Sequence, residues 1–143
     1  MEFKTTITTF RQHFEAIRMI RTEVFVYEQE IPLELEFDDQ DEHCIHAVVF
    51  ANNEPVATGR LNLEQDGRIG RIAVLKSHRR KGLGSLVMDA LEQKAIAANA
   101  QQIWFHAQVQ AITFYQSLGY KTEGEEFPED GIPHIAMRKR LSK

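Results

Sequence analysis

An α/β (α+β) fold, with a mixed sheet that is antiparallel at its centre and helices packed on it, follows from three features of the sequence. Between residues 43 and 75, short apolar runs alternate with turn residues at strand-like spacing. After Leu75 the apolar period lengthens to that of a helix. Beyond that helix the chain returns to strand-like runs, and a helix flanked by strands implies a crossover between roughly parallel neighbours.

Residues 3–10 alternate polar and β-branched side chains and read as a first strand, after which Phe14, Ile17, Arg21 and Val24 fall at helical spacing. Pro32 and the acidic residues after it end that helix. Residues 43–51 and 56–63 read as strands joined at Asn52-Asn53-Glu54-Pro55, and 67–75 as a third entered through Asp66-Gly67; together they form an antiparallel meander. Leu83, Leu86, Val87, Ala90, Leu91 and Ala98 mark a long amphipathic helix starting near Gly82, in a stretch rich in Ala, Leu, Glu and Lys. Ile103-Trp104-Phe105 fits a buried strand, 111–118 a short helix ending at Gly119, and 120–127 and 134–140 two final strands. The order is β-α-β-β-β-α-β-α-β-β, with no repeat, low-complexity tract or linker.

The 143 residues fit one domain, 1–143, and 43% hydrophobic residues supply a sizeable core. A net charge of −4 and a pI near 5.9 argue against nucleic acid or membrane as a partner, since both are approached through surplus Lys and Arg. No apolar run approaches the roughly 18 residues of a membrane-spanning helix. The lone Cys44 rules out an internal disulfide, and Met1-Glu2-Phe3-Lys4 lacks the pattern of a secretion leader, so a cytoplasmic location is expected. The oligomeric state stays open, a homodimer included.

The most informative segment is Arg79-Arg80-Lys81-Gly82-Leu83-Gly84-Ser85, at the start of the long helix. Helix N-termini expose unpaired N–H groups and a partial positive charge, so a glycine-containing turn there suits a phosphate. Gly82 and Gly84 permit positive φ and close approach of an anion, while Lys76, His78, Arg79, Arg80 and Lys81 crowd positive charge beside them. A P-loop requires Gly-Lys-Ser/Thr, but Gly84 is followed by Ser85-Leu86; a dinucleotide fingerprint requires a third small residue where Val87 stands.

Arg79-x-x-Gly82-x-Gly84, preceded by Ile72-Ala73-Val74, resembles the acetyl-coenzyme A signature of the GNAT (GCN5-related N-acetyltransferase) family. The segment from Ala111 through Tyr115 to Gly119-Tyr120 is similar to the family's later motif. Val24-Phe25-Val26-Tyr27-Glu28-Gln29 and Gly131-Ile132-Pro133-His134 resemble an uncharacterised bacterial subgroup. Gln108 departs from the pattern, since many members carry there an Asn that helps hold the cofactor arm.

The resemblance implies a single N-acetyltransferase domain with splayed parallel strands and acetyl-CoA as co-substrate. Ile72, Ala73 and Val74 would pair with the pantetheine arm, and Arg79, Arg80, Lys81, Gly82, Leu83, Gly84 and Ser85 would hold the pyrophosphate. A primary amine would attack the thioester directly, a backbone N–H near Val74 would stabilise the developing oxyanion, and Tyr115 would protonate the departing thiolate. Glu28, His46, His106, His134 or an ordered water are candidates for the general base. The same fold would also suit a non-catalytic coenzyme A-binding module.

Between residues 28 and 42 lie eight carboxylates and no Lys or Arg, so this stretch reads either as a solvated loop or as a wall favouring a cationic small-molecule or peptide amine acceptor. His43, Cys44 and His46 do not suit a metal, because His43 and His46 would point to opposite faces of a strand. Cys44 in an apolar strand reads as packing rather than as a nucleophile.

Overall fold

A computed structural model describes residues 2–141 of the chain. β1 (Phe3–Thr8) leads into α1 (Phe14–Arg21), which widens without a break into a π-helix over Thr22–Glu28 and is followed by the single turn α2 (Leu33–Glu36). The meander is β2 (Ile45–Ala51), β3 (Glu54–Asn62) and β4 (Arg68–Val74). Then come α3 (Leu83–Ala97), β5 (Gln102–Gln108), α4 (Ile112–Ser117), β6 (Lys121–Glu129) and β7 (Ile132–Arg140). Every element expected from the sequence is present, with ends shifted by a few residues. The π-helix is new, because apolar spacing does not distinguish a π turn from an α turn.

The strands form one sheet in the order β1-β2-β3-β4-β5-β7-β6. All neighbours are antiparallel except β4 and β5, the pair joined by the α3 crossover. That parallel pair meets at one register position, Arg68↔Trp104, where the Trp104 N–H also donates to the Gly67 carbonyl at 3.1 Å. Beyond it the two strands part and leave a cleft between them.

Each face of the sheet has its own core. On one, α3 buries Leu83, Val87, Met88, Leu91 and Ala95 against Ala57, Leu61, Ile69, Ile103 and Phe105. On the other, Ile17, Ile20, Val24, Phe25 and Ile31 cover Val48 and Ala73. Each fully buried Leu, Ile or Val contributes on the order of 1.5–3 kcal/mol, so both helical layers are anchored firmly to the cleft they flank.

Pairing between β3 and β4 shifts after Thr58, so that Ala73 opposes Thr58 while Gly70 opposes Arg60. Within this bulge Arg71 has a φ of 54°, a left-handed conformation costing about 1–3 kcal/mol in a non-glycine residue. A bulge bends its strand and leaves part of the ladder unpaired. Here it falls where β4 borders the cleft.

Candidate active site

The cleft opens into a cavity of about 190 Å³ that reaches both faces of the sheet. Tyr115 lines it from the α3–α4 face, and His106, Glu129, His134 and Arg68 line it from the face of α1 and the π-helix. The Tyr115 ring packs 4.5 Å from Phe105 and 4.9 Å from Phe114, centroid to centroid. Its hydroxyl has no hydrogen-bond partner among the described residues, and burial pushes its pKa up to about 12, so it keeps its proton at neutral pH.

Beyond β4 the chain makes a 3-10 turn over Lys76–His78, and then Arg80 and Gly82 both take left-handed φ values, 66° and 79°, on either side of Lys81. Gly82 is the residue before α3, and the first recorded backbone bond of that helix runs from the Leu86 N–H to the Gly82 carbonyl at 3.2 Å. The N–H groups of Leu83, Gly84 and Ser85 therefore have no partner within the helix and stand at its positive end. A Cβ on Gly82 would meet nothing within 4 Å, so the space beside it is open. Gly84 serves differently from the sequence expectation: it lies inside the helix, and a Cβ there would come 3.1 Å from Phe114.

The Arg79 side chain is not directed at an anion. Its Nε donates to the Val74 carbonyl at 2.9 Å, and its two terminal nitrogens donate to the Glu28 carboxylate at 2.6 and 2.7 Å. What Arg79 offers a phosphate is backbone, whereas the side chains of Arg80 and Lys81 are exposed. Glu28, a candidate base in sequence, is an ion-pair partner at the end of the π-helix, and the hydrogen bond from Arg79 holds its carboxyl below the usual range. Next to it, Gln29 exchanges amide hydrogen bonds with Gln108 of β5 at 2.9 and 3.4 Å. Adjacent residues thus tie the π-helix to both arms of the cleft.

Three candidate histidines fare differently. His46 is buried away from the cavity, with Nε2 2.9 Å from the Asp41 carbonyl, and desolvation pushes its pKa down. His134 lines the cavity, but its Nδ1 donates to the Ile132 carbonyl at 2.7 Å. His106 lies 2.8 Å through Nδ1 from Oε1 of Glu129, and its ring sits 4.8 Å from Phe127 and 5.7 Å from Trp104. Since the carboxylate accepts, Nδ1 carries the proton and Nε2 keeps a lone pair when the ring is neutral. Glu129 escapes a sequence reading because it arrives from 23 residues away at the end of β6.

Six of the eight carboxylates between residues 28 and 42 are exposed, while Glu36 and Asp41 are buried in an ion-pair network that also takes in Asp38. Arg21, 1% exposed, donates to Glu36 at 2.7 Å and to Asp41 at 2.7 Å, and Arg60 bridges Asp41 at 2.7 Å and Asp38 at 2.8 Å. Arg71 closes the network at 3.3 Å from Glu36 and 3.2 Å from Asp38. Three carboxylates and three guanidinium groups therefore cancel beside the cavity. Burial outweighs the arginines at Glu36, whose pKa is raised, and at Asp38 the arginines outweigh burial and bring it to about 2. The available sequence signal was Arg21 itself, a charge at an inward helical position that needed a buried partner.

The chain matches the family described as acetyltransferase (GNAT) domain over residues 11–141. The Bacillus subtilis protein YyaT is 40% identical to it over 141 residues, spanning 96% of this chain and 95% of YyaT. YjcF, an uncharacterized N-acetyltransferase of the same organism, is 39% identical over 138 residues, 95% of this chain and 99% of YjcF. An acyl-CoA N-acyltransferase from Pseudomonas aeruginosa superposes with a TM-score of 0.86 at 28% identity, over 96% of this chain and 99% of that one.

Proposed function

The chain belongs to the GNAT family of acetyltransferases, and from that premise we propose that it moves an acetyl group from acetyl-coenzyme A to a primary amine by direct attack within a ternary complex. The observation that carries this reading is the single cavity joining Tyr115 on one face of the sheet to the His106–Glu129 pair on the other. Donor and acceptor would approach from opposite faces and meet where β4 and β5 part.

The residues around the cleft fit coenzyme A. Past Arg68, β4 has no strand partner on its β5 side, so Ile72, Ala73 and Val74 offer backbone groups to a pantetheine arm. The N–H groups at the start of α3, with Arg80 and Lys81 beside them, suit its pyrophosphate. Bound there, acetyl-coenzyme A supplies the acetyl group as an activated thioester.

His106 Nε2 takes a proton from the arriving ammonium, and Glu129 holds the imidazole in the tautomer that can accept it. A backbone N–H near Val74 stabilises the oxygen on which negative charge grows. As the C–N bond forms and the C–S bond breaks, Tyr115 gives its proton to the sulfur. The proton shed by the amide nitrogen restores the tyrosine.

A panel of primary amines, assayed for thiol release from acetyl-coenzyme A and for N-acetylated product, tests the proposal. Product from any one amine supports transfer. Coenzyme A binding with no thiol release across the whole panel would make the protein a binding module instead.

A further inference from the structure

Three guanidinium groups line the cavity, those of Arg60, Arg68 and Arg71. Arg60 and Arg71 are paired with Asp38, Asp41 and Glu36. Arg68 makes no ion pair among the described residues. Its guanidinium instead lies over Trp104, 5.0 Å from the ring centroid, and the Trp104 indole N–H is itself fixed by the Gln65 carbonyl at 2.9 Å. A planar cation held on a braced aromatic ring is positioned rather than free to swing into solvent.

The polar neighbour closest to Arg68 does not satisfy it. Nη2 of Arg68 lies 3.4 Å from Nδ1 of His106. That nitrogen carries the proton donated to Glu129, so it has no lone pair to offer. Arg68 therefore keeps its donors unused on the cavity wall, beside the histidine assigned to the amine.

An acceptor bearing only an ammonium group would bring like charge against Arg68. An acceptor that also bears a carboxylate removes this repulsion and fills the donors of the guanidinium in the two-pronged geometry it favours. Because Arg68 and His106 are in contact, the two acceptor groups can be only a few bonds apart. Asp130, also on the cavity wall, adds a negative charge for the ammonium end.

We propose that Arg68 is the carboxylate anchor of the acceptor site and that the acceptor is a small amino acid or a close analogue, with its amine and carboxylate separated by a few bonds. This rests on the acetyltransferase reading given above. The acceptor class follows from Arg68 being, among the described residues, the cavity guanidinium without a carboxylate partner.

The test compares each amino acid with its decarboxylated amine, alanine against ethylamine and lysine against cadaverine, in the thiol-release assay. The expected result is a higher kcat/KM for at least one amino acid than for its amine, with Arg68→Gln abolishing the preference and lowering kcat/KM for that amino acid by about 10- to 100-fold, mainly through KM. Arg68→Lys, which keeps the charge without the fork, retains part of the preference and carries the test if the Gln variant does not fold. Turnover of simple amines with amino acids inert, or a preference untouched in both variants, overturns the anchor while leaving acetyl transfer standing. No thiol release from any acceptor overturns both.

Discussion

One side of the cleft is made of backbone, in the edge of β4 that lacks a strand partner among the described residues and the N–H groups that open α3, whereas the side next to α1 is made of charged side chains. Arg21, Glu36, Asp38, Asp41, Arg60 and Arg71 hold one another beside the cavity at 2.7 to 3.3 Å, from four separate parts of the chain. The difference teaches where tolerance to change should lie. A site built from backbone survives the loss of one exposed charge. A neutral network does not survive the loss of a buried member such as Arg21, Glu36 or Asp41, because the remaining partner is left charged and desolvated.

Asp41→Ala is the largest test of that contrast. Asp41 is 1% exposed and accepts from both Arg21 and Arg60, so its removal should lower stability by about 3–5 kcal/mol in urea unfolding. Arg80→Ala, an exposed cation on the loop before α3, should change stability by less than about 0.5 kcal/mol. Equal costs would erase the distinction. Acid supplies a second check through the sign of linkage. Asp38 and Asp41 are held below the ordinary carboxylate value, so their stabilisation is complete above pH of about 4 and is lost as pH falls toward 2. Glu36, raised by burial, runs the other way and relieves part of that loss when it takes up a proton. The fall in Tm between pH 4 and 2 should be shallower in Asp41→Ala than in the parent.

The next effects are on chemistry rather than folding. Tyr115→Phe should lower kcat on the order of 10²-fold with coenzyme A affinity nearly unchanged, since the hydroxyl has no partner within the described chain to lose. His106→Gln should cost a similar factor in kcat. If neither variant lowers kcat, the two faces of the cleft do not carry the roles proposed for them.

The same contrast explains what the sequence made legible. Strand and helix order could be read from period alone, and the loop before α3 could be read because Val74, Arg79, Gly82 and the start of α3 lie within ten residues of one another. The charged side of the cleft could not. Arg79 meets Glu28 across 51 residues, His106 meets Glu129 across 23 and Arg21 meets Asp41 across 20, and no local pattern encodes those distances. Glu36, Asp38 and Asp41 could not be told from their neighbours in sequence because their arginine partners lie on α1, β3 and β4. The π-helix was hidden for a related reason, since its consequence is only to carry Glu28 and Gln29 to the two arms of the cleft.

The smallest effects should separate two glycines that one motif treats alike. Gly82 has a φ of 79° with open space around it, so Gly82→Ala strains the backbone by about 1–2 kcal/mol without a clash. That strain acts on the turn that aims the N–H groups of α3, so the change should appear as a raised KM for acetyl-coenzyme A. Gly84 is ordinary helix, where Ala is favoured over Gly by about 1 kcal/mol, but its new Cβ would sit 3.1 Å from Phe114. The helical gain and the contact oppose each other, so stability of Gly84→Ala should stay within about 1 kcal/mol of the parent. Phe114 packs against Tyr115 at 4.9 Å, and pushing it aside should therefore show in kcat rather than in KM. Opposite assignments, kcat for Gly82→Ala and KM for Gly84→Ala, would mean that the loop and the α3–α4 contact have exchanged roles.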